Sequence, residues 1–360
     1  MKLSKLTDGL VGQPMFNILA QANALERAGQ KLIHLEIGDN FLQPDKKIIN
    51  SCISSLEKGD IHYTSSYGYE EFRKEIALAT LNEYGFKPQL DQIVVMPANA
   101  VIDTMVRCVC EQGDTVTVET PCFPTYTSVI QYLNLEHSEV VNDKTKLLII
   151  NSPCNPTGKV KTVAELRKIL AESKGKYFVL LDDTYSQLDY TCVTREDLRV
   201  WEYDNVLILK SLSKSHAIPG FRLGYAIGNR ELISKMALMF QTVYSCMPIF
   251  TQKAGIQALR TNTDIMYRDL RYLRDYTVYR LNRLDCFTCE IPDGGIYAFP
   301  KIIDPDLNEQ EVVDILLRNG VVVIGGSCFG KNGQGNIRIC FARDRRLLDC
   351  AFDIMEGCLC

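Results

Sequence analysis

Ser211-Leu-Ser-Lys-Ser-His-Ala-Ile-Pro-Gly-Phe-Arg-Leu-Gly224 follows the apolar run Val206-Leu-Ile-Leu209. The run has the character of a buried strand. The stretch after it sets Lys214 between Ser213 and Ser215, eight residues before Arg222. Hydroxyls and a guanidinium bind phosphate oxygens, the guanidinium through two parallel charge-assisted hydrogen bonds. A lysine carries the one primary amine on a long flexible side chain and can form an imine with an aldehyde. The stretch therefore reads as a place to hold a phosphate near an amine. Gly220 and Gly224 would let the backbone bend around it.

The rest of the composition narrows the class. At 360 residues and 46% apolar, the chain exceeds the size at which one core stops growing, so two domains are expected. A net charge of −4 offers no general field for nucleic acid or anionic lipid. Small-molecule work is favoured. No apolar stretch approaches the roughly 20 residues of a membrane span, and Met1 to Ala20 lacks a signal-type apolar block, so a cytoplasmic location is expected. The 14 cysteines are scattered rather than spaced as a disulfide framework. Cys286-Phe-Thr-Cys289 lacks a second pair, no two of the four histidines stand at metal-ligand spacing, and no metal site is expected.

Residues 13 to 29 have helical periodicity with Gly29 as a stop, Leu32 to Leu35 reads as a short strand, and Glu36-Ile-Gly-Asp39 as a turn. From about residue 92, short β-branched runs (Ile93–Met96, Thr115–Val118, Leu147–Ile150, Tyr177–Leu181) alternate with amphipathic helical windows. That pattern predicts an α/β domain whose mostly parallel sheet is covered by helices on both faces. Ligands in such sheets sit beyond the carboxyl ends of the strands, where Asn155, Asp182 and Lys214 fall. A helix is expected from Asn229, a long helical stretch from about 250 to 284, and then a smaller α+β domain. The latter has strands at Gly295–Phe299, Val321–Ile324 and Ile337–Phe341, and helices near 309–319 and 345–357. The expected limits are an arm at 1–34 packing with the small domain, a large domain at 35–249, a linking helical segment at 250–284 and a small α+β domain at 285–360.

Several motifs share one source. Ser211, Ser213, Lys214, Gly220, Arg222 and Gly224 resemble the cofactor-lysine motif of the fold-type I pyridoxal-phosphate enzymes, the aspartate aminotransferase superfamily. Asn151-Ser-Pro-Cys-Asn155-Pro-Thr-Gly158 resembles that superfamily's Asn-Pro-x-Asn-Pro-x-Gly turn, and Asp182-Asp-Thr-Tyr185 its Asp-Glu-x-Tyr run. The resemblance covers about residues 15 to 355. It implies pyridoxal 5′-phosphate as cofactor, with Lys214 as its imine partner and Ser211, Ser213 and Arg222 on the phosphate. Asp182 would keep the pyridine nitrogen protonated so that the ring can accept electrons. Asn155 and Tyr185 would meet the ring's 3-oxygen. A buried acid at a sheet end is unfavourable unless paired, which suits Asp182; Asp183, in place of the common Glu, is expected to point away.

By the same resemblance, a helix start supplies amides to the phosphate, here Ala98 and Asn99, with Pro97 replacing the usual glycine. Phe123 takes the place of the aromatic stacked on the ring. Gly38 is the glycine whose backbone meets the substrate carboxylate, although Gly38-Asp-Asn-Phe41 replaces the usual Gly-x-Pro-Asp. Arg338, in Asn336-Ile-Arg-Ile-Cys-Phe-Ala342, would fork onto that carboxylate, a pairing lysine makes poorly. Tyr63, in the Ile61 to Arg73 segment, would cross a two-fold axis to the other subunit's phosphate.

The implied protein is a homodimeric aminotransferase. Glutamate is its default donor and a small keto acid or phosphorylated ketone its acceptor, with Lys214 moving the proton from the substrate Cα. Decarboxylation of an amino acid, including a phosphorylated one, is the alternative on the same residues. A cofactor-sensing regulator would need a DNA-binding module, and none is expected before Gln13. The substrate side-chain pocket is expected to draw on Gly12–Asn17, Asp39–Leu42 and Tyr244–Pro248.

Overall fold

A computed structural model describes Leu3, Leu10 and residues 12–359; the rest of the expected arm lies outside the described residues. Seven strands form the central sheet. Their order is Ile93–Val95, Gly224–Ile227, Val206–Ser211, Phe178–Asp182, Thr145–Asn151, Thr115–Thr117, Glu136–Ser138. Gly224–Ile227 runs antiparallel to both of its neighbours, and the remaining pairs are parallel. All six residues of Val206–Ser211 and nearly all of Phe178–Asp182 are buried. A strand buried on both faces needs cover on both, and helices supply it.

Two members of this sheet are absent from the sequence reading. Glu136–Ser138 is a largely exposed edge strand without apolar alternation, and Gly224–Ile227 is a short run between two glycines. Helices Lys46–Glu57 and Glu70–Tyr84 also go unread. The second begins on Glu70 and Glu71 and stops at a left-handed Gly85, as an acidic first turn and a glycine stop would have indicated.

The expected single helical stretch at 250–284 is instead two helices, Ile249–Leu259 and Asp264–Leu281. The break is chemical: the Asn262 side chain accepts from the Asp264 amide at 2.7 Å and donates to its carboxylate at 2.9 Å, a local turn that competes with the helix. The two helices also serve different cores. Ala254 and Ala258 pack with the sheet, whereas Leu270, Leu273, Val278 and Leu281 join a second cluster with Phe287, Ile296, Ile339, Phe341 and Phe352.

That second cluster surrounds a small antiparallel sheet ordered Tyr297–Ala298, Ile337–Cys340, Ile324–Gly325. Val321–Val322 pairs in parallel with Ile33–His34, which brings the segment after helix Pro14–Arg27 to the same core. The expected strand Val321–Ile324 is thus split between two sheets.

Register across the large sheet positions the site. Asn151 lies opposite Asp182, and Asp182 opposite Leu209, so two of three adjacent parallel strands end at one level and the third runs two residues past it to Ser211.

Phe72, fully buried in the large core, fixes the approach of the helix Ile249–Leu259: a Cβ on Gly255 would lie 2.7 Å from its ring. Phe72→Ala should cost about 3–5 kcal/mol in urea unfolding; a loss under about 1 kcal/mol would mean that the ring is not part of this core.

Candidate active site

Beyond the strand ends lies a cavity of about 290 Å³. Ser211 ends its strand and caps the short helix Leu212–Ser215, its Oγ accepting from the Ser213 amide at 3.3 Å. Lys214 therefore projects from a capped turn, and its ammonium donates to the carbonyl of Gly38. Gly38 admits no side chain, since a Cβ there would fall 1.7 Å from Tyr297 Oη. Arg222 sits in the left-handed region at φ 56° and donates to the Pro219 carbonyl at 2.8 Å, which leaves most of its fork free. Helix Ala98–Val109 starts with Pro97 at its N-cap and no side-chain cap, so the amides of Ala98 and Asn99 stay open. Gly224 lets that helix start come close: a Cβ there would stand 3.0 Å from the Ala98 nitrogen.

Asp182 is buried, and among the described residues it has no ion-pair partner. Its Oδ2 accepts from Tyr126 Oη at 2.6 Å and its Oδ1 from the Thr184 amide at 3.1 Å. Burial pushes its carboxyl above the usual range, partly offset by those two bonds. Asp183 faces the other way. Burial alone would push it up too, yet the Arg195 and Lys210 cations hold it below the usual range. Asn155 and Arg338 meet across the cavity, Arg338 Nη1 donating to Asn155 Oδ1 at 2.9 Å and Nη2 to the Glu36 carbonyl at 2.5 Å. The guanidinium lies 4.1 Å from the Tyr297 ring centre and 4.7 Å from that of Phe329. Among the described residues its buried Nε has no partner. Tyr185 Oη donates to Tyr297 Oη at 3.4 Å, and burial holds the Tyr185 phenol well above its usual range.

The cavity thus gathers Lys214, Asp182, Tyr185, Ala98, Asn99, Phe123, Asn155, Ser211, Ser213, Arg222, Gly38 and Arg338. Tyr63 stands apart, 88% exposed, on a surface hollow with His62, Cys246, Pro248 and Phe250. Of the expected side-chain pocket, Gln13, Met15, Phe16 and Asp39 line the cavity, with Ile37 added; Gly12, Pro14, Asn17, Asn40–Leu42 and Tyr244–Pro248 do not. A larger hollow of about 380 Å³ opens beside Glu119, Glu139, Lys159 and Lys161. It shares only Asn151 and Tyr126 with the strand-end groups, so volume alone does not select the site.

The family model for aminotransferase class I and II matches residues 30–353. The chain belongs to that family. Among the relatives of this aminotransferase is an aspartate aminotransferase of Pyrococcus abyssi, 30% identical over 92% of this chain and 93% of that one. A (5-formylfuran-3-yl)methyl phosphate transaminase of Methanocaldococcus jannaschii is 28% identical, with 91% of each chain covered. The crystal structure of an aspartate aminotransferase from Thermotoga maritima superposes with a TM-score of 0.91 at 25% identity, covering 99% of both chains.

Sequence reasoning passed over two groups of this aminotransferase's cavity. Tyr126 holds Asp182 and meets Phe123 edge-on, the ring centres 5.7 Å apart. Tyr297 packs under Arg338 and closes on Gly38. Tyr126 lies three residues past Phe123 on the first turns of the helix Pro124–Tyr132, a spacing that puts both on one face. Tyr297 carried no comparable signal.

His216, buried next to the lysine turn, has its imidazole pulled down to about 4 by burial from an ordinary 6.5. The unfolded chain binds that proton more tightly, so the group's contribution is fully present above pH 6.5 and is lost as pH falls toward 4. Across that window it should cost about 3 kcal/mol of stability. His216→Gln should flatten this acid limb in urea unfolding at pH 7 and about pH 4.5; an unchanged limb would place the acid sensitivity elsewhere.

Proposed function

We propose that this aminotransferase works with pyridoxal 5′-phosphate, and the observation that carries the reading is the buried Asp182 carboxylate facing the cavity without a cation. A ring nitrogen bearing a proton is the partner such an acid lacks. The other groups fit the same molecule. The open helix start, Ser211, Ser213 and the free fork of Arg222 suit a phosphate dianion. Phe123 offers a flat face, and Asn155 and Tyr185 offer donors for a ring oxygen. When bound, the cofactor supplies an aldehyde carbon for the amine and a ring that accepts electrons.

This chain's residues divide the remaining work. Arg338 uses two of its five N–H donors on Asn155 and Glu36, which leaves Nε and others to hold a substrate α-carboxylate. Gly38 keeps Lys214 at the cavity through its carbonyl. Once free of that bond, Lys214 would carry a proton from the donor's Cα to the carbon that the cofactor's aldehyde supplies, and in the opposite direction for the acceptor. Asp182 would keep a proton on the ring nitrogen, and Tyr126 and Thr184 hold Asp182 in place. Helix Pro14–Arg27 brings Met15 and Phe16 to the rim of the cavity, where they would offer apolar surface to a substrate.

For the substrates, we take glutamate as donor and a small keto acid or phosphorylated ketone as acceptor. Relatives named for aspartate and for a phosphate ester support both kinds of anion. No helix among the described residues is long and apolar enough to cross a membrane. The unbridged thiols of Cys122, Cys154 and Cys340 suit the reducing cytoplasm. We further take the working form to be a homodimer in which Tyr63 reaches the neighbour's phosphate. Its exposed ring and the exposed Ile61 beside it, on a hollow shared with Pro248 and Phe250, support an interface there.

Lys214→Ala should abolish turnover with every donor. An active donor should yield its keto acid without release of labelled carbon dioxide from its carboxyl carbon; stoichiometric release would decide for decarboxylation. Normal steady-state rates in the variant would remove Lys214 from the mechanism.

Losing a hydrogen bond to a charged group costs about 1.5–3 kcal/mol, so Tyr63→Phe should weaken cofactor retention by roughly one to two orders of magnitude. Co-expression of Lys214→Ala with an impaired Tyr63 variant should give heterodimers with one intact site. Heterodimers as inactive as their parents would show that Tyr63 does not act across the interface.

A further inference from the structure

The strand that turns Asp182 into the cavity sends its next residue to the opposite side of the sheet. There it enters a buried ionic cluster that the mechanism above does not use. Arg195 Nε lies 3.1 Å from both oxygens of Asp183 and its Nη2 3.0 Å from Oδ1. Tyr84 Oη also donates to Asp183. Lys210 Nζ stands 3.7 Å from Asp183 and donates to Glu83 at 2.6 and 2.8 Å. The side chains of Asp183, Arg195 and Lys210 are 0%, 4% and 6% exposed, so water does little to screen them.

Arg195 reaches further than Asp183. Its Nη1 donates to Asp189 at 3.4 Å and its Nη2 to the carbonyl of Ser152 at 3.2 Å. Ser152 opens the turn that carries Asn155. Asp182 and Tyr185 flank Asp183 on the strand end. One guanidinium therefore ties together the backbone segments from which all three cavity groups hang. The charged and titratable groups of the cluster are Glu83 and Tyr84 from the helix Glu70–Tyr84, Lys210 from Val206–Ser211, Tyr225 from Gly224–Ile227, Asp189 from the segment after the strand, and Asp183 itself. Among the described residues Glu83, Asp183 and Asp189 pair with two cations, Arg195 and Lys210. Asp183 in turn pushes the Asp182 carboxyl upward, among the smaller influences on it after burial.

We propose that Arg195 is a positioning residue for amino transfer. It locks the turn bearing Asn155 to the strand end bearing Asp182 and Tyr185, and it cancels the charge of Asp183 so that Asp182 alone sets the field at the cofactor's ring. This rests on the reading of the cavity as a pyridoxal-phosphate site.

The test follows the visible absorption of the protein loaded with pyridoxal phosphate across pH, with thermal unfolding alongside. Arg195→Met leaves Asp183 under-compensated and makes the site more negative, which favours the protonated form of the lysine-linked chromophore. The midpoint of its spectral change should rise by about half a pH unit or more. Arg195→Lys keeps the charge without the fork and should hold the midpoint near its original value. Arg195→Met combined with Asp183→Asn removes both charges and should bring it back, since replacing a buried ion pair by neutral groups is better tolerated than breaking it. If Arg195→Met does not fold, Asp183→Asn alone carries the test, with a midpoint that falls. A midpoint unmoved in Arg195→Met while its Tm drops, or unmoved in Asp183→Asn, makes the cluster purely structural and overturns the proposal. Wild-type protein that develops no visible band with pyridoxal phosphate overturns the cofactor reading, and this inference with it; a normal band whose midpoint ignores Arg195 overturns this inference alone.

Discussion

The parallel pairing of Asn151 with Asp182 and of Asp182 with Leu209 sets three strand ends side by side, the third reaching two residues further to Ser211, and the site is built outward from that register. A parallel sheet buried on both faces can place polar groups only where its strands stop. Each of these strands stops on a residue that the next turn uses. Asn151 Oδ1 accepts from the Asn155 amide at 2.8 Å, and its Nδ2 donates to the Asp182 carbonyl at 3.1 Å. Ser211 caps the turn that lifts Lys214. A slip of one residue in any of these pairs would turn the neighbouring side chain to the cavity, and would exchange Asp182 for Asp183.

That exchange would be costly because the two acids have opposite surroundings. Both are buried, and adjacent buried carboxylates raise one another's proton affinity. The pleat separates their fates. Asp183 meets two cations and a phenol, whereas Asp182 meets one phenol and one amide and is left to pair with whatever enters the cavity. The cluster around Asp183 is thus the condition under which Asp182 can remain an unpaired acid.

What could be read from the sequence follows the same physics. Val206–Leu209 and Tyr177–Leu181 announced themselves because central strands are apolar on both faces. Glu136–Ser138 did not, since an edge strand has no such requirement. The motif residues were legible because each serves a fixed chemical need at a fixed distance along the chain. Tyr126 and Tyr297 were not, because their partners Asp182 and Tyr185 stand 56 and 112 residues away, and an aromatic amid apolar residues looks like core packing from its neighbours alone. The break at Asn262 escaped for a related reason: helical periodicity continues on both sides of it, and only the cores served by each side differ.

The small core has its own claim on the site through Arg338. Its strand belongs to the small antiparallel sheet, yet its guanidinium is held by Asn155 from the large side and by the Glu36 carbonyl from the bend before Gly38. The same bend, two residues on, offers the Gly38 carbonyl to Lys214, and Tyr297 packs so close that no side chain fits at Gly38. The group that would grip a substrate carboxylate and the amine that would act on its Cα are therefore tied to one short piece of backbone. Any shift of that bend alters the seat of Arg338 and the tether of Lys214 together, and the bend can lie this close to Tyr297 only because Gly38 has no Cβ to meet the phenol oxygen.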